Sequence, residues 1–246
     1  MTALIRNLGN MSKSGYLAKG NWDAVSTVTS RLINIEMLSR TRIHPISILA
    51  AMLTYQAGHG IRGHGAWIPV PNVVDALDKA FYLTFKNVET VGKRVVLALD
   101  VSGSMSSGSV AGVPGLTPRV ASSAMAMVTY KTEPRVTVVA FSDTMIELNL
   151  GRFQRLDDIC KTTEALPFSG TDCALPMLWA LEQKVDADGF VIYTDSETWS
   201  GKIHPSQALN QYRRITEIPA KLVVVGMVSN KFTIADPDDA GMMDVV

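Results

Sequence analysis

The hydrophobic positions of this chain follow two different periods, and the change falls near Gly92. Before it, apolar residues recur every three or four positions, the spacing of one face of an α-helix. Leu4, Ile5 and Leu8 begin such a face, and Gly9-Asn10 is expected to end it. Residues 22–38 carry Val25, Val28, Leu32, Ile35 and Leu38 at helical spacing. Pro45 suits the first turn of a helix, and Ile46, Leu49, Ala50 and Leu53 continue from it as far as Gly58-His59-Gly60. A second glycine-rich turn, Gly63-His64-Gly65, precedes Pro71, where another helix is expected with Val74, Leu77, Ala80, Phe81 and Phe85 on one face. Helix–turn–helix units of this length read as part of an α-solenoid, whose repeats bury their apolar faces only by stacking.

After Gly92, short apolar runs alternate with amphipathic stretches. Lys93-Arg94-Val95-Val96-Leu97-Ala98-Leu99, Arg135-Val136-Thr137-Val138-Val139-Ala140-Phe141, residues 189–195 and residues 221–227 read as strands. Residues 144–150 read as a further short strand, too close behind the second for a crossover helix, so that pair should be antiparallel. Helices are expected over residues 119–131 (Val120, Ala124, Met127 and Val128 inward), 156–166, 174–184 and 205–218. The repeated β–α alternation predicts a doubly wound, mostly parallel sheet. The fold class is therefore α plus α/β, with helical repeats over residues 1–90 and an α/β domain over residues 91–246.

The formal net charge is zero but unevenly placed. Residues 1–92 carry nine Lys and Arg against five Asp and Glu, and residues 93–246 carry 14 against 18. That asymmetry points to an anionic partner for the first part and a cation site in the second. Cys160 and Cys173 are the only cysteines, so neither a disulfide framework nor a Cys-x-x-Cys metal site is available, as in a reducing compartment. No apolar run reaches the roughly 18 residues needed to span a membrane, and Met1-Thr2-Ala3-Leu4-Ile5-Arg6 lacks the form of a signal peptide. The expectation is a cytoplasmic protein without membrane attachment, nuclear as well in a eukaryote.

Asp100-Val101-Ser102-Gly103-Ser104 closes the first strand with one carboxylate and two hydroxyls. Gly170-Thr171-Asp172 opens a helix-like segment, and Asp195 ends another strand. Ligands of open α/β sheets gather beyond the carboxyl ends of the strands, so these groups can reach one place. Hard oxygen donors with few charges suit Mg²⁺ or Mn²⁺. Two catalytic readings fail on the same residues. A phosphatase of the Asp-x-Asp type needs a carboxylic acid where Ser102 stands, and a serine-hydrolase elbow needs Gly-x-Ser-x-Gly, which Gly103-Ser104-Met105-Ser106-Ser107 lacks.

The Asp100, Ser102, Ser104, Thr171 and Asp195 pattern resembles the metal-ion-dependent adhesion site of the von Willebrand factor A domain. The resemblance implies that Ser102, Ser104 and Thr171 bind the ion directly, that Asp100 and Asp195 bind directly or through water, and that an open position takes an acidic side chain from a protein partner. The whole chain resembles the carboxyl-terminal half of the Ro (SS-A) ribonucleoprotein autoantigen family. That likeness rests on Thr2-Ala3-Leu4-Ile5-Arg6-Asn7-Leu8-Gly9, Arg42-Ile43-His44-Pro45, Gly58-His59-Gly60-Ile61-Arg62-Gly63, Val139-Ala140-Phe141-Ser142-Asp143, Gly170-Thr171-Asp172-Cys173 and Thr233-Ile234-Ala235-Asp236-Pro237-Asp238-Asp239.

The family implies the end of a TROVE module of HEAT-like helical repeats over residues 1–90, followed by a Rossmann-like von Willebrand A domain over residues 91–246. That domain is expected to be truncated at its end. It also implies non-catalytic binding of small non-coding Y-type RNA and of single-stranded ends of misfolded RNA, rather than DNA, in RNA quality control. The alternative is a Mg²⁺-dependent protein-adhesion module without RNA. Candidate phosphate contacts are Arg40, Arg42, His44, His59, Arg62 and His64, placed at two turns. His44 before Pro45 can equally orient a helix start, and His204-Pro205 should begin one.

Overall fold

The computed structural model describes residues 1–61, 65–167, 169–195, 200–228 and 234–245. The chain divides into two compact units, Met1–Glu89 with Ala111–Leu116, and Thr90–Val110 with Thr117–Val246.

The first unit is helical: α1 (Thr2–Lys13), α2 (Trp22–Leu32), α3 (Ile35–Thr41), α4 (Pro45–Ala57) and α5 (Pro71–Leu83). Helix α5 packs on both α4 and α2, and α1 packs against α4. Two expectations change. Helix α1 does not stop at Gly9 but runs on to Lys13. Gly9 is there for space: a Cβ at this position would lie 2.7 Å from the Trp67 ring. The expected helix over 22–38 is two helices, because the Asn34 side chain accepts from the Met37 N–H at 2.8 Å and starts α3 afresh. In α5, Val73 rather than Val74 is buried with Leu77, Ala80 and Phe81.

Tyr55 organises this unit. Its hydroxyl accepts from the buried Val70 N–H at 3.1 Å and lies 2.7 Å from Ser12 Oγ. Its carbonyl accepts from Trp67 Nε1 at 2.9 Å, and the Tyr55 and Trp67 rings stack with centroids 6.2 Å apart. One side chain of α4 thus ties down α1 and the chain entering α5.

The second unit contains β1 (Val95–Asp100), α6 (Pro118–Thr132), β2 (Val136–Phe141), β3 (Met145–Glu147), α7 (Leu156–Glu164), α8 (Leu175–Glu182), β4 (Gly189–Thr194), α9 (Pro205–Thr216), β5 (Lys221–Gly226) and β6 (Met242–Val245). The sheet order is β3-β2-β1-β4-β5-β6. Every neighbouring pair is parallel except β2 with β3. The expected antiparallel pair and doubly wound sheet are therefore present; β6, parallel to β5, was not anticipated. In α6, Ala121 faces inward with Ala124, Met127 and Val128, whereas Val120 is only half-buried. A core of Val96, Ala98, Phe141, Met177, Phe190, Ile192, Leu209 and Tyr212 fills one face of the sheet.

Strand β1 is anchored at its start. Glu133 accepts from the Val91 and Gly92 N–H groups at 2.6 and 3.0 Å. Asp188 accepts from the Arg94 N–H at 2.8 Å and from its guanidinium at 2.6 Å, contacts that hold the Asp188 carboxyl far below its ordinary value. Among the described residues no helix is long and apolar enough to cross a membrane.

Replacing Tyr55 by Phe leaves the buried Val70 N–H without its acceptor. The expected cost is about 1–3 kcal/mol, read as a lower urea midpoint for unfolding of the helical unit with an unchanged slope.

Candidate metal centre

Strand β1 lies at the point where the chain, having built β2 and β3 on one side, crosses to β4 on the other. A crevice outside the carboxyl ends of β1 and β4 follows from that reversal. The in-register pairing Leu99 with Tyr193 puts Asp100 beside Thr194, with Asp195 one residue further on.

The Asp100 carboxylate is 1 % exposed. Its Oδ1 accepts from the Ser102 N–H at 2.8 Å, and its Oδ2 accepts from the Thr194 hydroxyl at 2.7 Å. The chain then enters a short 3₁₀ turn, Gly103–Ser106, which brings the Ser102 and Ser104 hydroxyls to 3.1 Å from each other. Ser102 is buried and Ser104 faces outward. Asp195, directly after β4, is buried as well, and the Met227 N–H holds the strand end by donating to the Thr194 carbonyl at 2.8 Å. Thr171 comes from a different part of the chain. The Asp172 N–H donates to the Ser142 carbonyl, just after β2, at 2.9 Å. The Ser200 N–H, beyond β4, donates to the Thr171 carbonyl at 3.2 Å. Thr171 is thereby strung between the segments that follow the two strands flanking β1, and it is buried. It precedes α8 by a turn, closed by the Ala174 N–H donating to Asp172 Oδ1 at 2.9 Å, rather than opening the helix itself.

Burial is the main influence on the Asp100 carboxyl and raises its pKa above the ordinary value. The Ser102 and Thr194 hydrogen bonds oppose this, and the nearby Asp195 charge adds to it. Cys173, fully buried against this group, has its thiol pushed up by burial first and by Asp100 second. In metal-free protein it therefore stays protonated at neutral pH. Among the described residues no group of three or more His, Cys, Asp or Glu could hold a metal ion. The donor set is two carboxylates and three hydroxyls. That chemistry fits a hard divalent cation, and a cation relieves the cost of two neighbouring buried carboxylates.

The candidate phosphate contacts are distributed differently. Arg40 lies in the last turn of α3, and Arg42, exposed, is its C-cap in the left-handed region (φ 46°). The Asn87 side chain holds this turn by donating to the Leu38 and Ile43 carbonyls at 3.1 and 3.0 Å. The His44 Nδ1 accepts from the Ile46 N–H at 3.2 Å as the N-cap of α4, and burial lowers its pKa. His44 therefore serves α4 as a neutral cap. His59 lies past the other end of the 13-residue α4, about 20 Å away at the helical rise. Arg62 and His64 fall outside the described residues. The same unit carries a cleft of about 1150 Å³ along α1 and α4, lined by Arg6, Asn10, Ser47 and Thr54 among others, and none of the four described candidates lines it. Arg6 was not among the candidates, since a lone arginine in a helical pattern carries no signal of a cleft.

Sequence reasoning also passed over Thr194. Thr194 stands next to Asp195, but only the strand register aims its hydroxyl at Asp100. His204 caps α9 as expected, accepting from the Ser206 N–H at 3.3 Å.

Comparison with known proteins places both units. The Ro60 vWA domain family matches residues 94–246, and the TROVE domain family matches residues 1–57. The chain is 46 % identical, over its full length, to a Deinococcus radiodurans protein named RNA-binding protein RO60, of which it covers 46 %. It is 42 % identical to a Caenorhabditis elegans protein of the same name, of which it covers 38 %. The chain thus spans less than half the length of either relative. The crystal structure of the Deinococcus radiodurans RO (RSR) protein matches all of the chain with a TM-score of 0.95 at 46 % identity, over 50 % of that protein.

The raised pKa of Asp100 sets the sign of a pH effect. In metal-free protein the folded state binds this proton more tightly than the unfolded state. The group therefore gains stability as pH falls from its raised folded value towards the ordinary aspartate value, and it is destabilising at neutral pH. In EDTA, Asp100→Asn should be more stable than the native sequence at pH 7, with the difference shrinking as pH drops into the aspartate range. Urea unfolding of both proteins between pH 4 and 8 measures this.

Proposed function

The chain belongs to the Ro60 family, with a TROVE segment ahead of a Ro60-type von Willebrand A domain, and from that premise we propose that it is a non-catalytic RNA-binding component of a ribonucleoprotein whose A domain holds one divalent cation. The observation that carries the reading is the alignment of the entire chain, helical and α/β parts alike, with relatives named RNA-binding protein RO60.

In this reading Asp100 and Asp195 supply the negative charge of the metal site, and Ser102, Ser104 and Thr171 supply neutral oxygens. Mg²⁺ or Mn²⁺, when bound, provides a hard positive centre able to accept a further anionic oxygen. The five residues lie on three separate chain segments, and the backbone hydrogen bonds that hold the ends of these segments to neighbouring strands support a shared site. The acidic side chain of a protein partner is the proposed occupant of the remaining position. RNA is the proposed partner of the basic helical unit, through Arg40 and Arg42 at the α3–α4 turn and Arg6 in the cleft. Small structured RNA with a single-stranded end is the proposed class, since the helical unit offers charge and exposed turns rather than a groove-reading element. The proposed location is the cytoplasm.

Two measurements test the two halves. Titration of the chain with a structured RNA bearing a single-stranded 3′ tail, at several salt concentrations, should give a linear log–log decline in affinity. Arg40→Ala and Arg42→Ala should each weaken binding across sequences and reduce the salt slope by about 1. Absence of RNA binding, together with Mg²⁺-dependent binding of an acidic peptide, would establish the adhesion module instead. For the metal, thermal unfolding after EDTA treatment should shift upward on adding Mg²⁺, by about 2.7 kcal/mol at a hundredfold excess over Kd, and Asp195→Ala should abolish that shift.

A further inference from the structure

Arg119 is a buried cation, 6 % exposed, in the first turn of α6. Both features are unfavourable on their own. A buried guanidinium is costly unless its donors are satisfied, and the amino end of a helix repels positive charge. Among the described residues Arg119 forms no ion pair with a carboxylate. Its donors go to main-chain oxygens and one hydroxyl. Nη1 donates to the Thr163 carbonyl at 2.8 Å, in the last turn of α7, where helix carbonyls lack partners and carry partial negative charge. Nε donates to Ser106 Oγ at 3.0 Å. Nη2 reaches the Val101 and Ser102 carbonyls at 3.5 and 3.4 Å.

These contacts have a common geometry. Val101, Ser102 and Ser106 belong to the segment from the end of β1 through the 3₁₀ turn, which carries the Ser102 and Ser104 hydroxyls. Arg119 therefore touches that segment from below at both ends, with its guanidinium braced on α7. Only a planar fork with five N–H groups makes all these contacts at once; a lysine ammonium on a flexible stem does not. We propose that Arg119 is the positioning residue of the metal loop, holding the Val101 and Ser102 carbonyls and the Ser106 hydroxyl so that the Asp100, Ser102 and Ser104 oxygens converge.

The inference rests on the metal reading of the Asp100 loop, but its core claim concerns the loop and is measurable without metal. Amide hydrogen exchange over residues 101–107 of metal-free protein, for the native sequence, Arg119→Met and Arg119→Lys, reports the loop directly. Calorimetric titration with Mn²⁺ reports the site. The expected result is faster exchange confined to 101–107 in both variants, with β1, β2 and β4 still protected. Mn²⁺ binding should weaken about 10- to 100-fold in Arg119→Met, and less in Arg119→Lys. Exchange over 101–107 identical to the native sequence in both variants overturns the proposal, whatever the Mn²⁺ titration shows. A native protein that takes up no Mn²⁺, with loop exchange still faster in the variants, refutes the metal reading and leaves Arg119 as the brace of the loop. Should the Arg119 variants fail to fold, Ser106→Ala at the exposed end of the contact decides: faster exchange over 104–107 supports the proposal, and an unchanged rate overturns it.

Discussion

Two carboxylates buried side by side at the ends of adjacent parallel strands are the constraint around which the α/β unit is organised. Asp100 and Asp195 are both buried, and burial drives the Asp100 carboxyl upward. Such groups are costly without hydrogen bonds or a cation. The surroundings meet the first need with the Ser102 N–H and the Thr194 hydroxyl. The hydroxyls of Ser102, Ser104 and Thr171 are the remaining donors of the proposed hard-cation site. A protein stabilising only its own fold has little reason to place this much negative charge in one crevice, and the family membership of the chain gives the arrangement its context.

The rest of the α/β unit keeps these oxygens in place. Glu133 and Asp188 hold the residues leading into β1 by accepting from the Val91, Gly92 and Arg94 N–H groups, so the strand delivers Asp100 to a defined height beside β4. The Val101 N–H donating to Phe141, and the Asp172 N–H donating to Ser142, tie the loops after β1 and before α8 to the end of β2. Arg119 braces the underside of the first loop. In the helical unit the same role falls to Tyr55, whose hydroxyl holds Ser12 and Val70 and whose carbonyl and ring both hold Trp67. In both units, one polar side chain with several partners sets the course of irregular chain that apolar packing alone would leave undetermined.

The two His-Pro pairs show how a local pattern becomes structure. His44-Pro45 and His204-Pro205 each place an imidazole acceptor at the N-cap and a proline at the first helical position. The same geometry bears on the proposed RNA contacts: an imidazole occupied with a backbone N–H, and with its pKa lowered as at His44, offers little positive charge. The α3–α4 turn thus offers Arg40 and Arg42 as its cations.

What the sequence determined by itself were the features that depend on neighbours along the chain. The change of period near Gly92, the proline-led helix starts, the antiparallel β2–β3 pair and the strand-end positions of Asp100 and Asp195 all follow from spacing, because helix, strand and cap are short-range decisions. Tertiary structure decided whatever required a partner far away. Gly9 reads locally as a helix stop, yet it lies inside α1 because Trp67 needs the space of a missing Cβ. Thr194 reads as a strand residue and Arg119 as an ordinary helix-start arginine, until the sheet register and the packing of α6 bring one to the Asp100 carboxylate and the other beneath its loop. Segments distant in the chain meet only when hydrophobic burial closes the core, and no spacing along the sequence encodes which polar groups then find themselves within 3 Å.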